Sequence, residues 1–92
     1  MVLLSELQLK EVVEIKNGKR LGHIADLEID PDLGRIIAII IYIRDKGSFF
    51  GKAEEIFIYW NQIVTIGTDV ILVKDVSETQ YYDQINTNYD SI

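Results

Sequence analysis

Residues 21–44 decide the fold, and they read LGHIADLEID, then PDLG, then RIIAIIIYIR. Two runs rich in strand-forming residues flank a short segment with the chemistry of a tight turn. Pro31 presets φ, and the carboxylates of Asp30 and Asp32 can accept hydrogen bonds from the turn backbone. Gly34 supplies a positive φ at little steric cost. The stretch therefore predicts a β-hairpin.

The second strand of this hairpin is apolar on both faces, since every residue from 36 to 43 is apolar or tyrosine. Strand alternation divides these residues into two sets, Ile37, Ile39, Ile41 and Ile43 on one face and Ile36, Ala38, Ile40 and Tyr42 on the other. One set fills the core, and the other needs cover because an exposed row would form an unusually large apolar patch. The cover could be the barrel's far wall, the C-terminal tail or another subunit. We favour a homodimer in which this strand or the tail contributes to the contact.

Length and composition narrow the class of protein. The 92 residues predict one domain with a modest core. The chain has no cysteine, which excludes disulfides and thiolate metal sites. The net charge of -6 argues against direct nucleic-acid binding, which needs clustered basic residues. No apolar run approaches the length of a membrane span, so we expect a soluble cytoplasmic protein without membrane insertion.

Turn signals divide the rest of the chain into short strands. Asn17-Gly18 is a hairpin dipeptide, and a change of apolar parity predicts a β-bulge near Ala25-Asp26. Residues 60–62 are predicted to form a tight turn. A Ser-x-x-Gln pattern at residues 5–8 predicts a capped helical turn. Further strands are predicted at residues 10–16, 54–59, 63–66 and 70–73. Such short strands favour a small all-β barrel or sandwich.

The C-terminal residues 77–92 differ from the domain predicted over residues 1–76. They are acidic, and no basic residue follows Lys74. Four apolar side chains have the spacing of an amphipathic helix stripe, namely Tyr81, Tyr82, Ile85 and Tyr89. We expect this stripe to dock on the barrel or on a second subunit. A solvated tail is the alternative.

Short segments in a characteristic order cover residues 3–74. They are Leu4-Ser5-Glu6-Leu7, Lys10-Glu11-Val12, Gly18-Lys19-Arg20-Leu21-Gly22, Asp26-Leu27-Glu28-Ile29-Asp30, Phe49-Phe50-Gly51-Lys52, Glu55-Ile56-Phe57-Ile58, Trp60-Asn61-Gln62-Ile63 and Ile66-Gly67-Thr68-Asp69-Val70-Ile71-Leu72-Val73. Together they resemble the YlmC/YmxH group of sporulation proteins within the PRC-barrel superfamily. One departure is Tyr59, where this resemblance leads us to expect a proline before the tryptophan.

The resemblance implies a small, strongly bent β-barrel of about six short antiparallel strands, followed by a C-terminal tail or short helix. Similar domains, such as the cytoplasmic domain of the reaction-centre H subunit and the C-terminal domain of the ribosome-maturation factor RimM, are binding modules within assemblies. The implied function is a non-enzymatic protein-interaction adaptor, sporulation-linked or in an envelope- or division-associated assembly. The alternative is a ribosome- or RNA-processing-associated accessory factor that acts through a ribosomal protein.

Neither a catalytic nor a cofactor site is predicted. His23 is the only histidine and is expected to be an ordinary strand residue. Acidic side chains at positions 26, 28, 30 and 32 could suggest a cation site, but we expect them to face solvent without converging on a metal. Trp60 is predicted to lie in the core. The predicted partner-binding residues are Phe49, Phe50, Ile39, Ile41, Ile43, Tyr81 and Tyr82.

Overall fold

The computed structural model describes residues 1–44, 53–77 and 80–83, and of residues 44, 53 and 81–83 it describes the backbone. The elements are helix α1 (Leu4–Leu9), strands β1 (Glu11–Glu14), β2 (Arg20–Asp30), β3 (Arg35–Arg44) and β4 (Ala53–Tyr59), a 3-10 helix (Trp60–Gln62), and strands β5 (Ile63–Ile66), β6 (Val70–Val73) and β7 (Tyr81–Asp83). The chain is thus mostly β, and the predicted fold class of a small bent barrel is confirmed.

The seven strands form one sheet in the order β5-β6-β1-β2-β3-β4-β7. β1 and β6 pair in parallel, whereas the other neighbours pair antiparallel. The prediction of an all-antiparallel sheet is therefore wrong for this pair. The β5–β6 hairpin brings β6 alongside β1 in the same direction, from Glu11 opposite Val70 to Glu14 opposite Val73. Among the described strands the sheet ends at β5 and β7 without closing.

The long strand β2 bends the sheet. Its first residues pair with β1, whereas its remainder, from Ile24 onward, pairs with β3. Gly22 lies at this change of partner with a φ of +119°, and a Cβ atom there would lie 3.2 Å from Cγ2 of Ile41. The register shifts between Ile24 and Asp26, which confirms the predicted bulge. The bulge and Gly22 together let β2 bend toward the core side of the sheet.

The predicted hairpin between β2 and β3 is confirmed. Gly34 has a φ of +65°, and its backbone N–H donates to the Asp30 carbonyl oxygen at 2.8 Å. Oδ1 of Asp30 accepts from the backbone N–H groups of Asp32 at 2.9 Å and Leu33 at 3.2 Å. The side chain of Asp30 thus fixes the turn that the sequence predicted from it.

The core lies on the inner side of the bent sheet. Ile39 and Ile41 of β3 are completely buried and pack with residues from α1 and the other strands. The core cluster consists of Leu7, Val12, Leu21, Ile24, Ile39, Ile41, Ile56, Ile58, Ile71 and Val73. One of the two apolar sets of β3 therefore fills the core, as predicted.

Two local predictions are corrected. Helix α1 begins after Leu3 without a side-chain cap, so the predicted cap from Ser5 is wrong, since Ser5 already lies inside the helix. Residues 81–83 form a strand against β4 rather than the start of a helix, because the free edge of β4 offers backbone partners. A second register shift, between Glu28 and Ile29, leaves Ile37 of β3 as the extra residue and places Asp30 opposite Arg35.

Candidate functional site

The outer face of β3 and β4 carries the candidate site. In the antiparallel ladder, Tyr42 lies opposite Glu55, Ile40 opposite Phe57, and Ala38 opposite Tyr59. Because directly opposed residues project to the same side of a sheet, these side chains share the face away from the core. We call the apolar part of this surface the aromatic face, and its residues are Ile40, Tyr42, Phe57, Tyr59 and Trp60.

Large aromatic groups on this face reach solvent. The exposed fractions are 46% for Tyr42, 48% for Tyr59 and 39% for Trp60. Between them, Ile40 and Phe57 are half-buried, which makes the surface continuous rather than a set of isolated side chains. Exposed aromatic clusters of this kind are typical of protein interaction surfaces.

Acidic residues line one border of the aromatic face. On β2, Asp26 lies opposite Ile40 and Glu28 lies opposite Ala38, and both carboxylate side chains are exposed. They therefore project from the same side of the sheet as the aromatic face. A partner that crosses this border meets negative charge. On the β4 side, the carboxylate of Glu55 lies on the same face as Phe57 and Tyr59.

A cleft of about 340 Å³ opens where the β3–β4 ladder ends. Beyond the last pair, Ala38 with Tyr59, the first residues of β3 run past the end of β4 and face the 3-10 helix. The lining residues are Arg35, Ile36, Ile37, Tyr59, Trp60 and Asn61. Aromatic and aliphatic surface thus lies beside one guanidinium and one amide, a mixture suited to holding a short peptide segment.

The buried amide of Gln62 holds the 3-10 helix in place. Its Oε1 accepts from the Tyr59 backbone N–H at 2.9 Å. Its Nε2 lies within hydrogen-bond distance of the carbonyl oxygens of Lys74, at 3.1 Å, and Asp75, at 3.0 Å. Because Tyr59 and Trp60 lie in the segment that Gln62 fixes, this buried amide positions the aromatic wall of the cleft.

Gln80 pairs with Gln62 and fixes the start of β7. Nε2 of Gln80 donates to Oε1 of Gln62 at 2.6 Å, and Nε2 of Gln62 donates to Oε1 of Gln80 at 3.1 Å. Nε2 of Gln80 also donates to the Phe57 carbonyl oxygen at 2.7 Å. Both side chains are buried, and a reciprocal amide pair satisfies donors and acceptors that burial would otherwise leave unpaired.

The predicted partner residues of β3 lie on its inner face. Ile39 and Ile41 are completely buried in the core, and Ile43 packs against it half-buried. A partner cannot reach Ile39 or Ile41 in the folded chain. The physical reason is the bend of the sheet, which covers Ile39 and Ile41 and leaves Ile40 half-buried and Tyr42 exposed on the other face.

The prediction that Trp60 lies in the core is wrong, because the residue is 39% exposed. That prediction assumed that β4 continues through Trp60 with the parity of Ile56 and Ile58. The strand ends at Tyr59, and the 3-10 helix turns the indole toward the cleft. Neither Gln62 nor Gln80 was predicted from the sequence. For Gln62 there was a signal, namely a glutamine at the end of the predicted tight turn.

The structure does not describe the side chains of the other predicted partner residues. Phe49 and Phe50 lie outside the described residues. Tyr81 and Tyr82 lie in β7, where their backbone pairs with Ile56 and Glu55. Their role in binding, like the predicted homodimer and the domain boundary at residue 76, stays a prediction.

The candidate metal and histidine positions behave as ordinary surface residues. Oδ1 of Asp26 accepts from the Leu27 backbone N–H at 2.8 Å. His23 is exposed, and its Nδ1 lies 3.0 Å from the Lys10 carbonyl oxygen, which can only accept. Within the described residues, no group of three or more histidine or acidic side chains is arranged to hold a metal ion. The same part of the chain contains no helix long and apolar enough to cross a membrane.

Comparison with known proteins identifies the family. The family model described as the PRC-barrel domain matches residues 1–80. The probable sporulation protein YlmC of Bacillus subtilis is 51% identical over 75 residues, which cover 80% of this chain and 93% of that protein. The protein YmxH of the same organism is 39% identical over 77 residues, which cover 82% of this chain and 89% of YmxH. This chain therefore belongs to the PRC-barrel domain family, as a member of the YlmC/YmxH type.

Proposed function

We propose that this protein is a non-enzymatic adaptor that binds a protein partner through the aromatic face and the cleft at its end. The observation that carries this proposal is the exposure of Tyr59 and Trp60 beside the half-buried Ile36. A folded chain gains nothing for its own core from leaving such rings in water. Aromatic side chains at the centre of a surface are the residues that contribute most to protein binding.

The chemistry of the cleft supports contact rather than proton transfer. Its described lining residues include no histidine, carboxylate, lysine or cysteine, the side chains that most often transfer protons in enzymes. General acid–base catalysis needs a group that changes its protonation near the working pH. The apolar walls, by contrast, are suited to an aliphatic or aromatic side chain of a partner.

The biological setting is proposed from the relatives. YlmC carries the name of a probable sporulation protein, and the identity of 51% spans nearly all of it. We therefore propose that the adaptor is sporulation-linked, or acts in an envelope- or division-associated assembly, and that its compartment is the cytoplasm.

Affinity capture from sporulating cells, followed by mass spectrometry, tests the proposal with four chains: wild type, Tyr59→Thr, Trp60→Ala and Val64→Ser. Val64 is a matched control because it is 48% exposed, as is Tyr59, but lies on β5 away from the aromatic face. We expect at least one protein to be retained by wild type and Val64→Ser and lost by both aromatic variants. With that protein purified, calorimetry should show Kd raised about tenfold or more in the aromatic variants.

Two results would count against the proposal in different ways. A protein retained equally by all four chains binds elsewhere, and the aromatic face then has no role in it. A ribosomal protein retained only through the aromatic face would keep the interaction and replace the sporulation assignment with a ribosome-associated one.

A further inference from the structure

We propose that the partner segment bound on the aromatic face is basic, with at least one lysine or arginine side chain lying beside Asp26 and Glu28. The inference rests on the proposed function and deepens it, because it names the chemistry of the segment that the aromatic face takes. Three observations support it: the register of β2, β3 and β4, the exposure of the two carboxylates, and the rings that share their face.

The register of the sheet twice puts a carboxylate and a ring in the same row. In one row, Glu28 of β2 lies opposite Ala38 of β3, which in turn lies opposite Tyr59 of β4. In the next row, Asp26 and Phe57 lie opposite the same residue of β3. Since neighbouring strands are about 4.8 Å apart, the acidic residue and the aromatic residue of a row are about 10 Å apart. One long side chain lying across β3 can therefore contact both.

The middle strand supplies aliphatic surface between the carboxylates and the rings. Ile40 is half-buried, and Ala38 is completely buried beneath its neighbours. A lysine or arginine side chain can pack its methylene groups against such a surface while its charged end stays in water. Here the charged end would lie over β2, where the carboxylates are, and the methylene groups would pass beside the rings of β4.

Asp26 and Glu28 present their charge to a partner. Both side chains are exposed, and within the described part of the chain neither forms an ion pair. One oxygen of Asp26 accepts from the Leu27 backbone N–H, which leaves the other oxygen for a further contact. Glu55, opposite Tyr42, belongs to the same face, so every charged residue that the register places there among the described side chains is acidic. Such a surface favours a cation and opposes a carboxylate.

The rings beside these carboxylates favour the same partner chemistry. Tyr59 is exposed, and Phe57 is half-buried two residues earlier on the same strand. The face of an aromatic ring attracts an ammonium or guanidinium group, and the attraction grows when water is displaced. A purely apolar segment would pack on the rings but would leave the carboxylates of β2 against uncharged surface. Rings and carboxylates together therefore favour a basic segment over a purely apolar one.

The cleft limits where the basic residue of the segment can lie. Arg35 places a guanidinium in the lining of the cleft, and a lysine or arginine is repelled there. Tyr59 also lines the cleft, and Glu28 shares its row in the sheet. An extended chain advances about 3.3 Å per residue, so a basic residue about two positions from an apolar residue in the cleft reaches the carboxylates.

A peptide display library tests the chemistry of the segment without assuming its sequence. Random ten-residue peptides are selected on the full wild-type chain and, in parallel, on Glu28→Lys and Asp69→Lys. Asp69 is a matched control because its carboxylate is also exposed but lies in the turn between β5 and β6. We expect lysine and arginine, near an apolar residue, to be enriched about threefold or more on wild type and Asp69→Lys but not on Glu28→Lys.

Binding constants of one enriched peptide sharpen the test. Trp60 is the only tryptophan of the chain and lines the cleft, so its fluorescence reports the binding of a peptide that lacks tryptophan. Glu28→Lys should raise the Kd of this peptide about fivefold, and Asp69→Lys should leave it within about twofold of the wild-type value. A second peptide, with glutamate in place of each lysine or arginine, should bind Glu28→Lys more tightly than wild type. Far-UV circular dichroism checks that each variant keeps the same sheet content.

Three results would overturn the proposal. Enrichment of peptides without lysine or arginine that is lost on Tyr59→Thr would keep the aromatic face as a binding surface and remove the basic segment. Basic peptides that bind Glu28→Lys or Tyr59→Thr as well as wild type do not occupy this face. A library with no enrichment on wild type would show that no short segment is recognised. The first result separates failure here from failure of the proposed function, which loss of partner capture by Tyr59→Thr tests on its own.

Discussion

The two faces of β3 are made of nearly the same residues and have opposite roles. Ile39 and Ile41 are completely buried, whereas Tyr42, the next residue along, is 46% exposed. Composition cannot explain this difference, because isoleucines occupy both faces. The curvature of the sheet explains it: β2 bends, and the elements on its concave side close over one face. The chain is stabilised through that face, whereas Tyr42 on the other face remains exposed.

Glycine and bulge positions set which face becomes the inner one. Gly22 allows β2 to approach Ile41 closely, and the register shift between Ile24 and Asp26 lets the strand turn there. On the concave side, Leu7 of α1, Val12 of β1 and Val73 of β6 join the core. On the convex side the described chain places no opposing layer, so the aromatic rings remain accessible.

The largest expected difference in stability between the two faces of β3 is between substitutions of the neighbouring residues Ile40 and Ile41. Ile41→Ala should lower the free energy of unfolding by about 3 kcal/mol, because it leaves a cavity among fully buried side chains. Ile40→Ala, on the outer face, should cost about 1 kcal/mol, because the lost methyl groups are half-buried against few neighbours. Urea unfolding followed by circular dichroism measures both. Equal effects would mean that the outer face is also packed.

The second prediction concerns the amide that holds the cleft. Gln62→Ala removes the acceptor of the Tyr59 N–H and the partner of Gln80, which leaves buried polar groups without hydrogen bonds. We expect a loss of about 2 kcal/mol in the free energy of unfolding. Asn61→Ala is the control within the same 3-10 helix, and since Asn61 is exposed it should change stability by less than about 0.5 kcal/mol.

A double-mutant cycle sharpens this prediction. If Gln62 and Gln80 act as a pair, Gln62→Ala and Gln80→Ala together should cost clearly less than the sum of the single variants. Additive losses would show that the two amides stabilise the fold independently, through their separate backbone contacts.

The sequence predicts the elements of this fold well because turn chemistry is local. Asp30 and Gly34 specify one turn, and Gly18, with a φ of +66°, lies in the predicted first hairpin. The six strands up to residue 73 were predicted within a residue or two, apart from the first, which is shorter at both ends. The parallel pairing of β1 with β6 was not predicted, because it depends on the global path of the chain rather than on any short pattern.

The candidate site was harder to predict because it depends on which face the bend covers. Parity separated Ile39 and Ile41 from Ile40 and Tyr42 but could not say which of them lie inside, so Ile39 and Ile41 were assigned to a partner surface. Parity also misplaced Trp60, since a strand that ends one residue earlier changes the direction of the next side chain. The glutamine pair joins residues 18 positions apart, and such a contact has no periodic signal.

The third prediction tests the hairpin turn that joins β2 to β3. Gly34→Val should lower the free energy of unfolding by about 1–2 kcal/mol, because a β-branched residue resists a positive φ. Gly34→Asn is the control, since asparagine tolerates the left-handed region and should recover most of the loss. Thermal unfolding of the three chains decides the point. A valine as well tolerated as asparagine would show that the turn can adopt another conformation.

The smallest effect on stability is expected where the effect on binding is largest. Tyr59→Thr keeps a residue suited to a strand and removes a ring that is 48% exposed, so the free energy of unfolding should change by less than about 0.5 kcal/mol. Ile58→Ala, one residue earlier on the inner face, should cost about 3 kcal/mol. If Tyr59→Thr instead costs more than about 1 kcal/mol in urea unfolding, the ring stabilises the fold, and its exposure no longer supports a binding role. A loss of partner capture with stability unchanged would separate the two faces: inner side chains determine folding, and outer side chains determine binding.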